Sequence, residues 1–148
     1  MIKNTTLTFE NCETVENFCT KSTPPKYIFL DIDGVLNYSG TTSLIVRKKM
    51  ELLKELVVAT NAEVVLISDW RLDLLPDAKY PETGRYIRKQ FEKAEIPLQL
   101  VSDVPRYEIR GEEIRRFLES RPYESFVIID DQGFNEYNDE DLLPHFVK

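Results

Sequence analysis

Residues 27–36, YIFLDIDGVL, decide how the rest of the chain is read. The stretch opens as a short apolar run with aromatic and β-branched residues, the composition of a buried strand. It then delivers two carboxylates, Asp31 and Asp33, one residue apart, and passes at once through Gly34. Side chains at i and i+2 of a strand point the same way, so both acids can face one pocket if the chain is still extended there. Two like charges so close are costly to bury unless something positive sits between them, and a hard cation with oxygen ligands meets that need. Gly34 permits a sharp turn, which puts the acids at the carboxyl end of the strand, where open α/β sheets hold their ligands. An ordinary strand-to-turn junction has the same composition, so this stretch alone leaves both readings open.

The chain of 148 residues is long enough for one domain with a sizeable core. Its 42% hydrophobic and 30% charged content is ordinary globular usage. The sequence has neither an apolar run of membrane-spanning length nor a basic-plus-apolar leader, so a cytoplasmic protein without membrane contacts is expected. A formal charge of −7 opposes general binding to nucleic acid, although a local basic patch could still hold one anionic group. Cys12 and Cys19 have no second cysteine pair, and the lone His145 is distant in sequence, so no zinc pattern is present and reduced thiols are expected.

Outward from the opening strand, residues 1–26 read as an extension or brace, with a short strand at 7–9, a helical turn at 14–19 and Pro24-Pro25 as a breaker. After the strand, a Gly-, Ser- and Thr-rich loop precedes an amphipathic helix beginning near Leu44. Ser43 or a nearby Thr is its expected cap, and Asn61 its left-handed stop. The basic cluster Arg47, Lys48 and Lys49 reads as a solvated face. Residues 64–67 form a second buried strand, and the short return implies a parallel β-α-β unit. Residues 72–80 look irregular, residues 83–94 helical, and residues 96–101 make a short strand interrupted near its start by Pro97. A helix over 112–119, a strand over 126–129 and an edge strand near 145–147 complete the pattern. Alternating elements of this kind predict an α/β, Rossmann-like, three-layer fold around a mostly parallel sheet.

Polar groups recur at the strand ends: Asp31 and Asp33 after the first, Ser68 after the second, Asp130 and Asp131 after the fourth. Arg110 stands just before a helix. Acids from two strands can hold Mg²⁺ while water and a phosphate complete its ligands. A hydroxyl and an arginine supply donors for phosphate oxygens.

In order along the chain, DIDGVL, VVLISDWR, Arg110 and VIIDD resemble the four motifs of the haloacid-dehalogenase-like (HAD) superfamily. The resemblance spans residues 27–131, and the combination of DIDGVLN, SDWR and IIDD is most similar to small HAD domains of RNA-repair proteins. It implies a HAD-like domain over residues 27–148 with no substantial cap, because the intervals between motifs hold no room for one. It also implies a phosphatase that works through an aspartyl-phosphate intermediate, with Asp31 as nucleophile and Asp33 as general acid and base. Ser68 and Arg110 would bind phosphate, with Arg71 a further candidate, and Arg106 competes with Arg110. Mg²⁺ would lie among Asp31, Asp130 and the backbone carbonyl of Asp33, with Asp131 close enough to contribute. An uncapped site suits a phosphate on a large molecule or closure by a partner, and the substrate stays open between a nucleic-acid end, which the net charge does not favour, a nucleotide and a phosphoprotein. Two further readings compete with the enzyme, a receiver-like phospho-acceptor domain and a catalytically silent binding module. Ser68 at the end of the second strand counts against the first, and the presence of both acids in DIDGVL counts against the second.

Overall fold

The computed structural model describes residues 23–38, 44–100 and 109–148. Among these, β1 (Lys26–Leu30), β2 (Glu63–Leu66), β3 (Leu98–Leu100), β4 (Ser125–Ile129) and β5 (Phe146–Val147) form one sheet in the order β3-β2-β1-β4-β5. Every pairing in it is parallel. The helices α1 (Arg47–Thr60), α2 (Pro81–Lys93) and α3 (Arg110–Glu119) link the first four strands.

The apolar runs of β1 and β2 are continuous because both faces of these strands are covered. Ile28, Leu30, Val64 and Leu66 pack toward Met50 and Leu53 of α1 and Ile87 and Phe91 of α2. The alternate residues Tyr27, Phe29, Val65 and Ile67 pack toward Ile114 and Phe117 of α3, together with Tyr137 and Leu142 from the C-terminal segment. Helices therefore lie on both faces, and the fold is the expected three-layer α/β arrangement. From β1 the chain winds outward through β2 to β3, then returns across the sheet to β4 on the other side of β1. That reversal opens a crevice beyond the carboxyl ends of β1 and β4, the usual ligand position of such sheets.

Several boundaries differ from expectation for local reasons. The N-cap of α1 is Val46, with no side-chain cap bond, and the expected cap Ser43 lies outside the described residues. Tyr86 Oη instead accepts a hydrogen bond from the Ile45 N–H at 2.9 Å, which ties the entry of α1 to α2. Asn61 does end this helix in the left-handed region, with φ of 55° and its N–H on the Val57 carbonyl. Strand β3 starts only after Pro97, whose ring nitrogen has no hydrogen to give to a ladder. The stretch expected to be irregular, 72–80, instead begins inside a 3-10 helix, Asp69–Leu74, that α2 approaches closely: a Cβ at Gly84 would collide with the Asp73 carbonyl. The polar stretch after β4 contains a 3-10 turn, Asn135–Asn138, that carries the fully buried Tyr137. The edge strand near the C-terminus is present as β5. The strand and helical turn expected before residue 20, and both cysteines, lie outside the described residues.

Phe29 is fully buried, with the rings of Phe117 and Phe126 edge-on at 5.4 and 5.9 Å. Phe29→Ala is expected to lower stability by about 3–5 kcal/mol, because the tightly packed cluster cannot collapse fully into the void. Denaturant titration measures this, and an unchanged midpoint would contradict the assignment of Phe29 to the core.

Candidate active site

Asp31 follows β1 directly, and its N–H extends the ladder onto the Ile129 carbonyl of β4 at 2.9 Å. Asp130 follows β4, and its N–H meets the Val147 carbonyl at 3.2 Å. Backbone pairing thus delivers both carboxylates to the crevice, and both are buried. Asp31, Asp130 and Asp131 each offer an oxygen, and these oxygens lie within 4.8 Å of one another. Arg110, the first residue of α3, places Nη1 2.7 Å from Asp130 Oδ2 and 3.2 Å from Asp31 Oδ1. Its guanidinium also lies 4.6 Å over the Phe134 ring, which limits where the side chain can go. The buried Tyr137 hydroxyl donates to Asp130 Oδ2 at 3.1 Å, and the Gln132 N–H donates to Asp130 Oδ1 at 2.9 Å. A cavity of about 580 Å³ opens over this group and is lined by Asp31, Asp33, Ser68 and Arg110 among others.

Ser68 is buried where the chain leaves β2 for the 3-10 helix. Its side chain lies close enough to Asp31 to favour the charged carboxylate, and its Oγ accepts the Trp70 N–H at 3.5 Å as the helix cap. Burial pushes the Asp31 carboxyl up to about 6. The Arg110 charge pulls it down, the Asp130 charge raises it again, and the nearby Ser68 hydroxyl pulls the other way. Arg110 loses some basicity to burial, but the facing Asp31 and Asp130 more than restore it and hold it charged. Burial, and then the charge of Asp130, raises Tyr137, so its hydroxyl stays a donor.

Asp33 reaches the cavity by a different route from the one expected. Strand β1 ends at Leu30, so pleat alternation does not operate at this point. The Leu36 and Asn37 N–H groups both return to the Ile32 carbonyl, Ile32 enters the core, and Gly34 takes a φ of 76°. The resulting turn presents Asp33, which is exposed, on the cavity wall. A side chain at position 34 would overlap the Asp131 carboxylate, so glycine also lets that acid lie against the turn. The Asp33 carboxylate is outside the three-oxygen cluster. Its Oδ1 accepts from Asn37 Nδ2 at 2.8 Å and its Oδ2 from Trp70 Nε1 at 2.9 Å.

Arg71, the further candidate for phosphate, lines the cavity and reaches the exposed Asp69 at 3.4 Å. It is buried, pairs with Glu113 at 2.7 Å, and donates to the Ile67 and Ser68 carbonyls at 3.1 and 3.0 Å. The guanidinium is a strut between the end of β2 and α3. Arg106, the rival of Arg110, lies outside the described residues. Sequence reasoning missed Asn37 and Tyr137. It also read Lys49 as solvated, whereas Lys49 Nζ donates to the Gly34 and Asn37 carbonyls at 3.1 and 2.7 Å and clamps the Asp33 turn.

The donor set fits a hard divalent cation. Three carboxylates converge, and the guanidinium facing two of them leaves negative charge over. All three offer oxygen, the ligand that Mg²⁺ and Ca²⁺ prefer.

A parallel α/β sheet with acids at the ends of two adjoining strands, a serine on a third and an arginine opening the facing helix defines a HAD-like domain. Within that class, the chain belongs to the family of HAD domains found in Swiss Army Knife RNA repair proteins, whose model matches residues 27–148. No curated protein and no solved structure matches the chain. No helix among the described residues is long and apolar enough to cross a membrane.

The position of Asp31 makes stability depend on pH in a defined direction. Its folded value of about 6 lies above the ordinary 3.8, so across that interval the folded chain binds more protons than the unfolded one. The stability this carboxyl contributes is full below about pH 4 and is lost as pH rises through about 6. Asp31→Asn removes that loss. In metal-free buffer the variant should gain on the parent between about pH 4 and 7 by on the order of 2–3 kcal/mol. Denaturant titrations across this range test it, and a difference independent of pH would contradict the assignment.

Proposed function

We propose that this protein is a Mg²⁺-dependent phosphomonoesterase that forms an aspartyl phosphate on Asp31 and acts on the phosphorylated end of an RNA. The observation that carries the reading is the setting of Asp31, a buried carboxylate with Ser68 on one strand end and Arg110 and Asp130 across the sheet reversal. An Asp31 oxygen attacks phosphorus, and the bond from phosphorus to the leaving oxygen breaks as Asp33 gives that oxygen a proton. Asp33 then takes a proton from the water that attacks the acyl phosphate, which releases phosphate and restores both acids. Ser68 donates to a phosphoryl oxygen, and Arg110 offsets the charge spread over the transferring group. Asp31, Asp130 and Asp131, with the backbone carbonyl of Asp33, would hold Mg²⁺, which supplies the positive charge that lets an anionic carboxylate approach an anionic phosphate.

The choice of an RNA end rests on the family, whose description names RNA repair, and on the short sequence intervals between Asp33, Ser68 and Arg110, which hold too few residues for a cap domain. The net charge of −7 disfavours a long nucleic-acid footprint, so recognition should concentrate on the terminal phosphate.

The test compares release of phosphate from 3′- and 5′-phosphorylated oligoribonucleotides, a nucleotide, a phosphopeptide and an aryl phosphate, with Mg²⁺ and with chelator. The parent should require Mg²⁺ and favour one RNA end. Asp31→Asn should lose about a thousandfold or more of the rate, and Ser68→Ala about tenfold to a hundredfold. Equal rates in the parent and Asp31→Asn on every substrate would overturn the reading and leave a binding module. Preference for the nucleotide or the phosphopeptide would overturn the RNA assignment alone.

A further inference from the structure

Trp70 is the one tryptophan of the chain, and it does two things at the site. Its backbone N–H caps on Ser68 Oγ, which lies in the cavity wall with Asp31, while its indole Nε1–H reaches Asp33 Oδ2 at 2.9 Å. The residue therefore connects the surroundings of both acids. Its ring packs against the core cluster that includes Leu30, Ile32 and Leu74, so the indole is held from behind. The other carboxylate oxygen of Asp33 is held by Asn37 Nδ2 at 2.8 Å. Asn37 is itself buried, and its Oδ1 accepts the Gly34 N–H at 2.8 Å. Lys49 fixes the same turn by donating to two of its carbonyls.

An exposed aspartate on a turn would ordinarily sample several rotamers. Here each of its oxygens has its own donor, one from the turn and one from a ring anchored in the core. Rotating the carboxylate breaks at least one of these bonds. A group that protonates a leaving oxygen and then deprotonates water must present its oxygens in one place in both steps.

Resting on the phosphatase reading above, we propose that Trp70 is a positioning residue for the general acid and base, holding the Asp33 carboxylate through its indole N–H so that it faces the leaving oxygen of the substrate. The leaving oxygen gains the Asp33 proton as its bond to phosphorus breaks, and Asp33 regains a proton from the hydrolytic water. Misplacing Asp33 therefore matters most where the leaving oxygen is basic. An alkoxide must be protonated to depart, whereas nitrophenolate departs without help.

Trp70→Phe keeps an aromatic ring for packing and removes the donor. With the full chain in excess over substrate and Mg²⁺ present, single-turnover release of the leaving group from an alkyl phosphate should slow about tenfold or more, while release of nitrophenolate from p-nitrophenyl phosphate slows less than about threefold, a readout that precedes the hydrolysis step both substrates share. Asp33→Ala should show the same dependence on leaving group, and the double variant should be no slower than Asp33→Ala alone. An equal loss on both substrates, or a further loss in the double variant, overturns the positioning role while leaving the phosphatase reading intact. A parent that hydrolyses neither of these substrates nor a phosphorylated oligoribonucleotide overturns the phosphatase reading and this role with it. A second measurement needs no turnover. The single indole gives one ¹H–¹⁵N resonance, which should shift and exchange faster with solvent in Asp33→Ala, and an unmoved resonance overturns the contact.

Discussion

The site depends on one electrostatic problem: three carboxylates, two of them buried, converge at the ends of neighbouring strands with a single guanidinium between two of them. Parallel pairing of β1 with β4 creates the problem, because the ladder that stabilises the sheet also fixes Asp31 and Asp130 side by side. The fold answers it in layers. Arg110 enters from the first turn of α3 and bonds both acids. Tyr137 and the Gln132 N–H then supply Asp130 with further donors. What stays uncompensated is the charge that a divalent cation would meet, so the same repulsion that costs folding stability prepares the site for its ligand.

The second acid is handled by opposite means. Asp33 lies outside the carboxylate cluster, exposed on a turn, and is steadied by Asn37 and Trp70. Two aspartates one residue apart thus meet different surroundings because the strand stops between Leu30 and Asp31. Different surroundings are what the two roles proposed for these acids require. Arg71 illustrates the supporting structure: its buried pair with Glu113 locks the end of β2, which carries Ser68 and Trp70, against α3, which carries Arg110.

Much of this was legible in the sequence. The apolar runs of β1, β2 and β4 stand out because strands covered on both faces have no polar alternation, and the acids follow them directly. Pro97 and Asn61 marked real boundaries through their backbone chemistry. Other features depend on contacts distant in sequence. Tyr137 sits in a polar stretch, and nothing local says that it turns inward to meet Asp130. Lys49 belongs to a basic run typical of a solvated face, and only the Asp33 turn lying beside α1 gives it carbonyls to hold. Arg71 read as a further phosphate candidate because its buried partner, Glu113, is on another helix. The ring of Trp70 packs against the core as a large aromatic residue is expected to, while its indole N–H meets Asp33, a contact no local pattern signals. Strand order is likewise set by long-range pairing, and it explains why β1 and β4 present their acids together.

The central claim is that Asp31 accepts the phosphoryl group. Borohydride added during turnover reduces an acyl phosphate to an alcohol and would leave homoserine in place of the phosphorylated aspartate, a change that peptide mass spectrometry can locate. The account predicts homoserine at position 31, only with Mg²⁺ and substrate present. Reduction at position 33, or at neither position while hydrolysis proceeds, would contradict it.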